Sequence, residues 1–111
     1  MPVSHLAGRR ARIDVSLDGI RFTRSQPDAE RRDTARVRDI EWEQVTGASV
    51  HTSRKGRAVI RVAVVGAPEV EHHRADPFAL KVPRRLTATA YDLVAHINDE
   101  VAGRRRWREP S

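Results

Sequence analysis

The order of local patterns along this chain constrains its fold more than any single motif does. Roughly 70 residues read as short alternating strands, and then one amphipathic helix, predicted over Thr89–Ala102, closes the series. Turn signals at Asp18-Gly19, Ser53-Arg54-Lys55-Gly56 and Gly66-Ala67-Pro68 punctuate the strand region. The helix carries Ala90, Leu93, Val94, Ile97 and Val101 at a 3.6-residue period, a stripe that must pack on something as a lid. Strands followed by one lid helix predict a mainly β, α+β domain. The expected form is a partly open antiparallel barrel of about seven strands, capped by the C-terminal amphipathic helix.

Individual strands are read from the side-chain alternation. Ala11, Ile13, Val15 and Leu17 alternate with polar residues, the period-2 signature of a half-buried strand. Asp18-Gly19 then reads as a two-residue hairpin turn, with Ile20 and Phe22 on the returning strand. Further strands are expected around Val37–Trp42, Val45–Val50 and Ala58–Val65, with shorter ones at Val70–Arg74 and Phe78–Val82. Trp42 is large enough to plug one end of a small barrel. Residues 25–34 hold Pro27 and five charges and no large apolar group, so an exposed loop is expected there. At the helix, Thr89 and Asp92 fit a capping box, and Gly103 fits a left-handed stop. The reading therefore has a flexible arm at 1–9, one domain at 10–103 and an Arg-rich tail at 104–111.

The chain has 111 residues, 39% hydrophobic and 32% charged, enough for one domain that buries about 65% of its unfolded surface. It has no cysteine, which excludes disulfides and thiolate metal sites. With no secretion-type apolar core near the start and no long apolar run, a soluble cytoplasmic protein is expected. Net charge is +6 and thinly spread: residues 1–40 carry nine basic against six acidic groups, residues 41–82 six against five, residues 83–111 six against four. Nineteen of the 21 basic residues are Arg, which fits GC-rich coding of the kind common in bacteria.

The strand order, the Asp18-Gly19-Ile20 hairpin, the segment Ile40-Glu41-Trp42-Glu43-Gln44-Val45, the Ser53–Gly56 hairpin and the Ala90–Ile97 helix resemble the pleckstrin-homology-like superfold, in particular its small bacterial members. The resemblance covers residues 10–102. It implies two nearly orthogonal sheets with a helix over one open end, and a module that binds phosphoinositides, peptides or other proteins. Lipid-binding members of that superfold hold phosphates with basic residues flanking a long loop between their first two strands. The matching hairpin here turns on two residues, Asp18-Gly19, so headgroup binding is not expected.

Chemistry-bearing clusters are few. Glu71 and His73 would share a strand face while His72 points away, too few ligands to hold a metal. Ser49 and His51 also share a face but lack a Gly-rich elbow or an oxyanion element, and Glu41 and Glu43 read as exposed neighbours of Trp42. No catalytic residue, cofactor or metal site is expected. The expected function is a non-catalytic module that binds a protein or peptide, or a second copy of itself, through an exposed strand edge or the groove beside the helix. The alternative is a weak binder of nucleic acid or acidic membrane. It would use the hairpin cations Arg54, Lys55 and Arg57 together with Arg104, Arg105, Arg106 and Arg108 of the tail, with Trp107 available to stack.

Overall fold

A computed structural model describes residues 2–68 and 70–108, residue 108 by its backbone alone. The fold is α+β: two antiparallel sheets, one of four strands in the order β1-β2-β3-β4 and one of three in the order β5-β6-β7, followed by a C-terminal helix. The first sheet contains β1 (His5–Ala7), β2 (Ala11–Val15), β3 (Gly19–Arg24) and β4 (Val37–Glu41). The second contains β5 (Val45–Thr52), β6 (Ala58–Val64) and β7 (Ala79–Lys81). A short helix, α1 (Gln26–Arg31), joins β3 to β4, and α2 (Thr87–Arg108) covers the core. The sheets do not merge into a closed barrel.

Most of the predicted apolar positions meet in one core, while Leu17, Val37 and Val65 are exposed. Ile13 faces Phe22, and Val15 faces Ile20, across the β2–β3 ladder. They join Ile40, Trp42, Val45, Ile60, Val62, Leu80 and Val82, and the lid supplies Ala90, Leu93, Val94, Ile97 and Val101. Trp42 belongs to this core: its indole is buried and donates to the Ser16 carbonyl at 2.9 Å, and the Arg104 guanidinium lies over its ring.

Several boundaries differ from the sequence reading, each for a local reason. The arm at 1–9 contains β1, which pairs with β2 and buries Leu6, because one inward-facing Leu suffices for a three-residue edge strand. Residues 70–74 form no strand, and His73–Ala75 is a 3-10 turn instead. The loop expected at 25–34 contains α1, where the Ser25 hydroxyl accepts from the Asp28 N–H and Pro27 sits in the first turn, a position proline tolerates. Ala29 and Asp28 of this helix are buried.

The β2–β3 turn is centred on Leu17-Asp18 rather than Asp18-Gly19, since the Ser16 N–H donates to the Gly19 carbonyl. Leu17 is consequently a solvated tip residue, 85% exposed. Gly19 is needed for another reason: its φ is +152°, and a Cβ there would lie 2.0 Å from the Ile40 carbonyl oxygen of β4.

The closing helix is longer at both ends than predicted. It starts at Thr87, so Thr89 and Asp92 lie within it rather than at its cap, and it runs through Gly103 to Arg108. Residues 104–108 therefore continue the helix rather than forming a tail. Arg104 explains the continuation: it packs on Trp42, pairs with Glu100 and donates to the Leu17 carbonyl at 2.9 Å. Among the described residues no helix is long and apolar enough to cross a membrane.

The glycines give a signed test. Gly103 is helical with open space around it, so Gly103→Ala should stabilise the domain by about 0.5–1 kcal/mol in urea unfolding. A left-handed stop at that position predicts destabilisation instead. Gly19→Ala should destabilise by at least ~1–3 kcal/mol, well beyond Gly56→Ala, where a positive φ is the sole penalty.

Candidate anion-binding basin

One end of the domain gathers charge that is dispersed in the sequence. A concavity of about 640 Å³ opens between the β1–β2 connection, α1, the turn before β7 and the segment leading into α2. Among the described residues, ten cationic side chains line it and one carboxylate, Asp28. The described side chains outside it include ten basic and twelve acidic groups. Among the described side chains the net positive charge therefore resides in this basin.

Its wall is a buried cluster of ions. Arg24, at the end of β3, is 2% exposed, Asp28 4% and Arg32 6%. Arg24 Nη1 donates to Asp28 Oδ2 at 2.8 Å, and Arg32 Nε donates to both Asp28 oxygens at 3.2 and 3.3 Å. One further nitrogen of each arginine binds backbone. Arg24 Nη2 reaches the carbonyls of Pro77, at 2.9 Å, and Ala79, while Arg32 Nη1 reaches those of Asp76, at 2.8 Å, and His73. Two side chains thus fasten residues 73–79 to β3 and α1. Two buried guanidiniums share one carboxylate, so the cluster keeps an excess positive charge, and Arg24 Nε is buried without a hydrogen-bond partner.

More mobile side-chain types form the rim, each placed by a short connection. The Gly8 N–H donates to the Ala11 carbonyl at 2.8 Å, a tight reversal that presents Arg9 and Arg10. The 3-10 turn presents His73 and Arg74, β7 presents Lys81, and the turn after Pro83 presents Arg84 and Arg85. Arg84 donates to the Lys55 carbonyl at 3.0 Å, which ties the β5–β6 hairpin to this end and brings Arg57 to the basin.

The positive potential is visible in the ionisation equilibria. Burial and then the charges of Arg57, Arg74, Lys55 and Arg10 lower the Lys81 pKa. Burial also lowers His73, reinforced by His72, Arg32, Arg74 and Lys81. Burial lowers Arg24 against the opposing hydrogen bond from Asp28. For Asp28 burial pushes upward, but the hydrogen bond to Arg24 and the charges of Arg32 and Arg24 outweigh it and hold the carboxyl below its usual range.

The cations singled out from sequence do not converge. Arg54 and Lys55 sit on the exposed hairpin tip, and of that set only Arg57 lines the basin. Arg104, Arg105 and Arg106 lie at the far end of α2, which extends ~33 Å from the basin side. Arg105 donates to the Thr46 carbonyl, and the Arg108 side chain lies outside the described residues. The hairpin expected at Asp18-Gly19 does turn on two residues, Leu17-Asp18, and does not line the basin, whereas the Gly8-Arg9-Arg10 connection between β1 and β2 borders it.

The other clusters noted in the sequence lie apart from one another. The His72 and His73 rings stack with centroids 5.0 Å apart, on a turn rather than a strand, and among the described residues no group of three or more His, Asp or Glu could hold a metal. Ser49 Oγ lies 2.8 Å from His51 Nε2 on an exposed stretch of β5. Glu41 ends β4 and Glu43 lies in the next 3-10 turn, so they share no strand face. The β5 edge beside α2 is already engaged at Ala48: the Ala48 N–H donates to Asn98 Oδ1 at 2.9 Å, and Asn98 Nδ2 donates back to the Ala48 carbonyl at 3.0 Å. A peptide adding along that edge has to displace the helix.

Asp28→Asn should destabilise the fold by about 3–5 kcal/mol, because it strands two buried guanidiniums. Since the folded Asp28 pKa is depressed, its contribution is complete above the unfolded carboxylate value near ~3.9 and is lost as pH falls through the folded value. The wild type should therefore lose more stability than Asp28→Asn in urea melts carried down through that acid range. Compared with family models, curated proteins and solved structures, the chain has no match.

Proposed function

We propose that this protein is a non-catalytic, pleckstrin-homology-like binding module whose basin takes a compact ligand with clustered negative charge, such as a multiply phosphorylated small molecule or headgroup. One observation carries the reading: ten cationic side chains against one carboxylate around a single concavity. Like charges held together raise the energy of the empty site, and a multivalent anion relieves it. Arginine suits phosphate through paired N–H donors. The volume of about 640 Å³ is that of a small-ligand pocket. Four strands, three strands and a C-terminal helix also support the superfold resemblance.

This reading reassigns the polyanion contacts from the hairpin tip and helix end to the basin. It also ranks ligand binding above peptide addition, since Asn98 occupies the β5 edge at Ala48.

Isothermal titration with inorganic tripolyphosphate should give saturable binding that weakens steeply with added salt. Combining Arg10→Gln, Arg74→Gln and Arg85→Gln, all exposed rim positions, should weaken it by at least ~10-fold without lowering the unfolding midpoint. The same substitutions at Arg54, Arg105 and Arg106 should have little effect. Sedimentation with phosphatidylcholine vesicles, with and without phosphorylated inositol lipid, separates a headgroup from a free phosphate ester. Equal loss from both variant sets would remove the basin as the site.

A further inference from the structure

The basin contains one side chain able to change charge near neutral pH and poorly placed to do so while the site is empty. His73 lines the basin beside Lys81 and Arg74, and its Nδ1 is buried with no hydrogen-bond partner. Its backbone carbonyl accepts from Arg32, so the turn that carries the imidazole is fastened to the buried ion cluster. We propose that anion binding in this basin is coupled to proton uptake, with His73 as the group that receives the proton. The inference rests on the anion-binding reading of the basin and adds its regulation by pH.

The groups around His73 favour the neutral ring in the empty site. Arg32 approaches from the segment after α1, Lys81 from β7, and His72 and Arg74 from its own turn. Two buried carboxylates of the surrounding structure are committed elsewhere. Asp28 of α1 is held by Arg24 and Arg32, and Asp76, three residues further along the chain, pairs with Arg61 at 3.0 Å and accepts from the Phe78 N–H. Protonation therefore adds a cation beside Arg32, Arg74 and Lys81.

A bound dianion reverses that balance. It offsets the surrounding guanidiniums and the Lys81 ammonium. Linkage sets the sign. A group whose pKa is higher in the bound than in the free protein takes up protons on binding, so affinity rises as pH falls through that interval. Burial, reinforced by the neighbouring cations, holds the free His73 pKa below the usual imidazole value, so the proton uptake is read on the acid side of that value.

Sulfate is the appropriate probe, because it does not titrate in this range whereas phosphate esters do. Titration calorimetry of the full chain with sulfate, repeated in buffers of different ionisation enthalpy at pH 6, should show net proton uptake. The association constant should rise by up to ~10-fold per pH unit on acidification. His73→Asn should remove the uptake and flatten the pH dependence while retaining sulfate binding at pH 8, and His72→Asn should keep both. Proton-detected titration of the imidazoles in the wild type gives an independent readout: sulfate should raise the His73 pKa more than that of His96, which is bonded to the Val3 carbonyl. Sulfate binding with no proton uptake and an unmoved His73 pKa would overturn the coupling and leave the basin reading intact. Absence of sulfate and tripolyphosphate binding at every pH would overturn both.

Discussion

The fold depends on a carboxylate shared by two buried guanidiniums. Arg24, Asp28 and Arg32 come from the end of β3, from α1 and from the residue after it. Through backbone carbonyls at positions 73–79 the arginines hold the connection between β6 and β7. Nothing apolar in α1 except Ala29 could fix that helix in place. A buried pair of this kind adds little net stability against apolar replacements, but it is costly to break, and a two-to-one ratio leaves positive charge in the interior. That residual charge forms the wall of the basin.

Around this wall the topology brings together side chains that no sequence window contains. Arg9, Arg31, Arg57, Arg74 and Arg85 lie on five different segments of the chain, and loops at one end of two sheets are where binding groups on such scaffolds concentrate. Burial, with repulsion from Arg57, Arg74, Lys55 and Arg10, depresses the pKa of Lys81, and burial, with repulsion from His72, Arg32, Arg74 and Lys81, depresses that of His73. Charges of one sign held this close together raise the energy of the basin while no counter-charge is present. The opposite end has another character, with Trp42 plugged beneath Arg104 and the acidic groups Asp18 and Glu41 near the turn at Leu17.

Whatever rests on apolar period is legible in the sequence. Spacing alone assigns Ile13, Val15, Ile20, Phe22, Ile60, Leu93 and Ile97 to the interior, and all are buried. The α+β order and the lid helix come from the same signal. Strand β1 escapes it because three residues with one inward Leu show no alternation. Helix α1 escapes it because one turn and a half buries a single apolar side chain. Its signal is instead the Ser25 cap with Pro27 in the first turn. Gly103 misleads because glycine stops a helix or sits inside one according to the packing of the residues beyond it, and Arg104 on Trp42 is a tertiary fact. The basin is invisible for the most physical reason: charge counted along the chain is nearly even, and only pairing of β1 with β2 and docking of residues 73–85 place it at one end.

We propose that folding brings scattered arginines together into one anion site. Amide chemical-shift mapping of the uniformly 15N-labelled protein during titration with inorganic tripolyphosphate tests it most directly. The account predicts saturable shifts confined to residues 8–11, 31–32, 57, 73–74 and 81–86, with a single common affinity. Shifts concentrated at the hairpin tip, residues 53–56, or at the far end of α2, residues 104–107, would contradict it, as would weak unsaturable shifts spread over the whole surface.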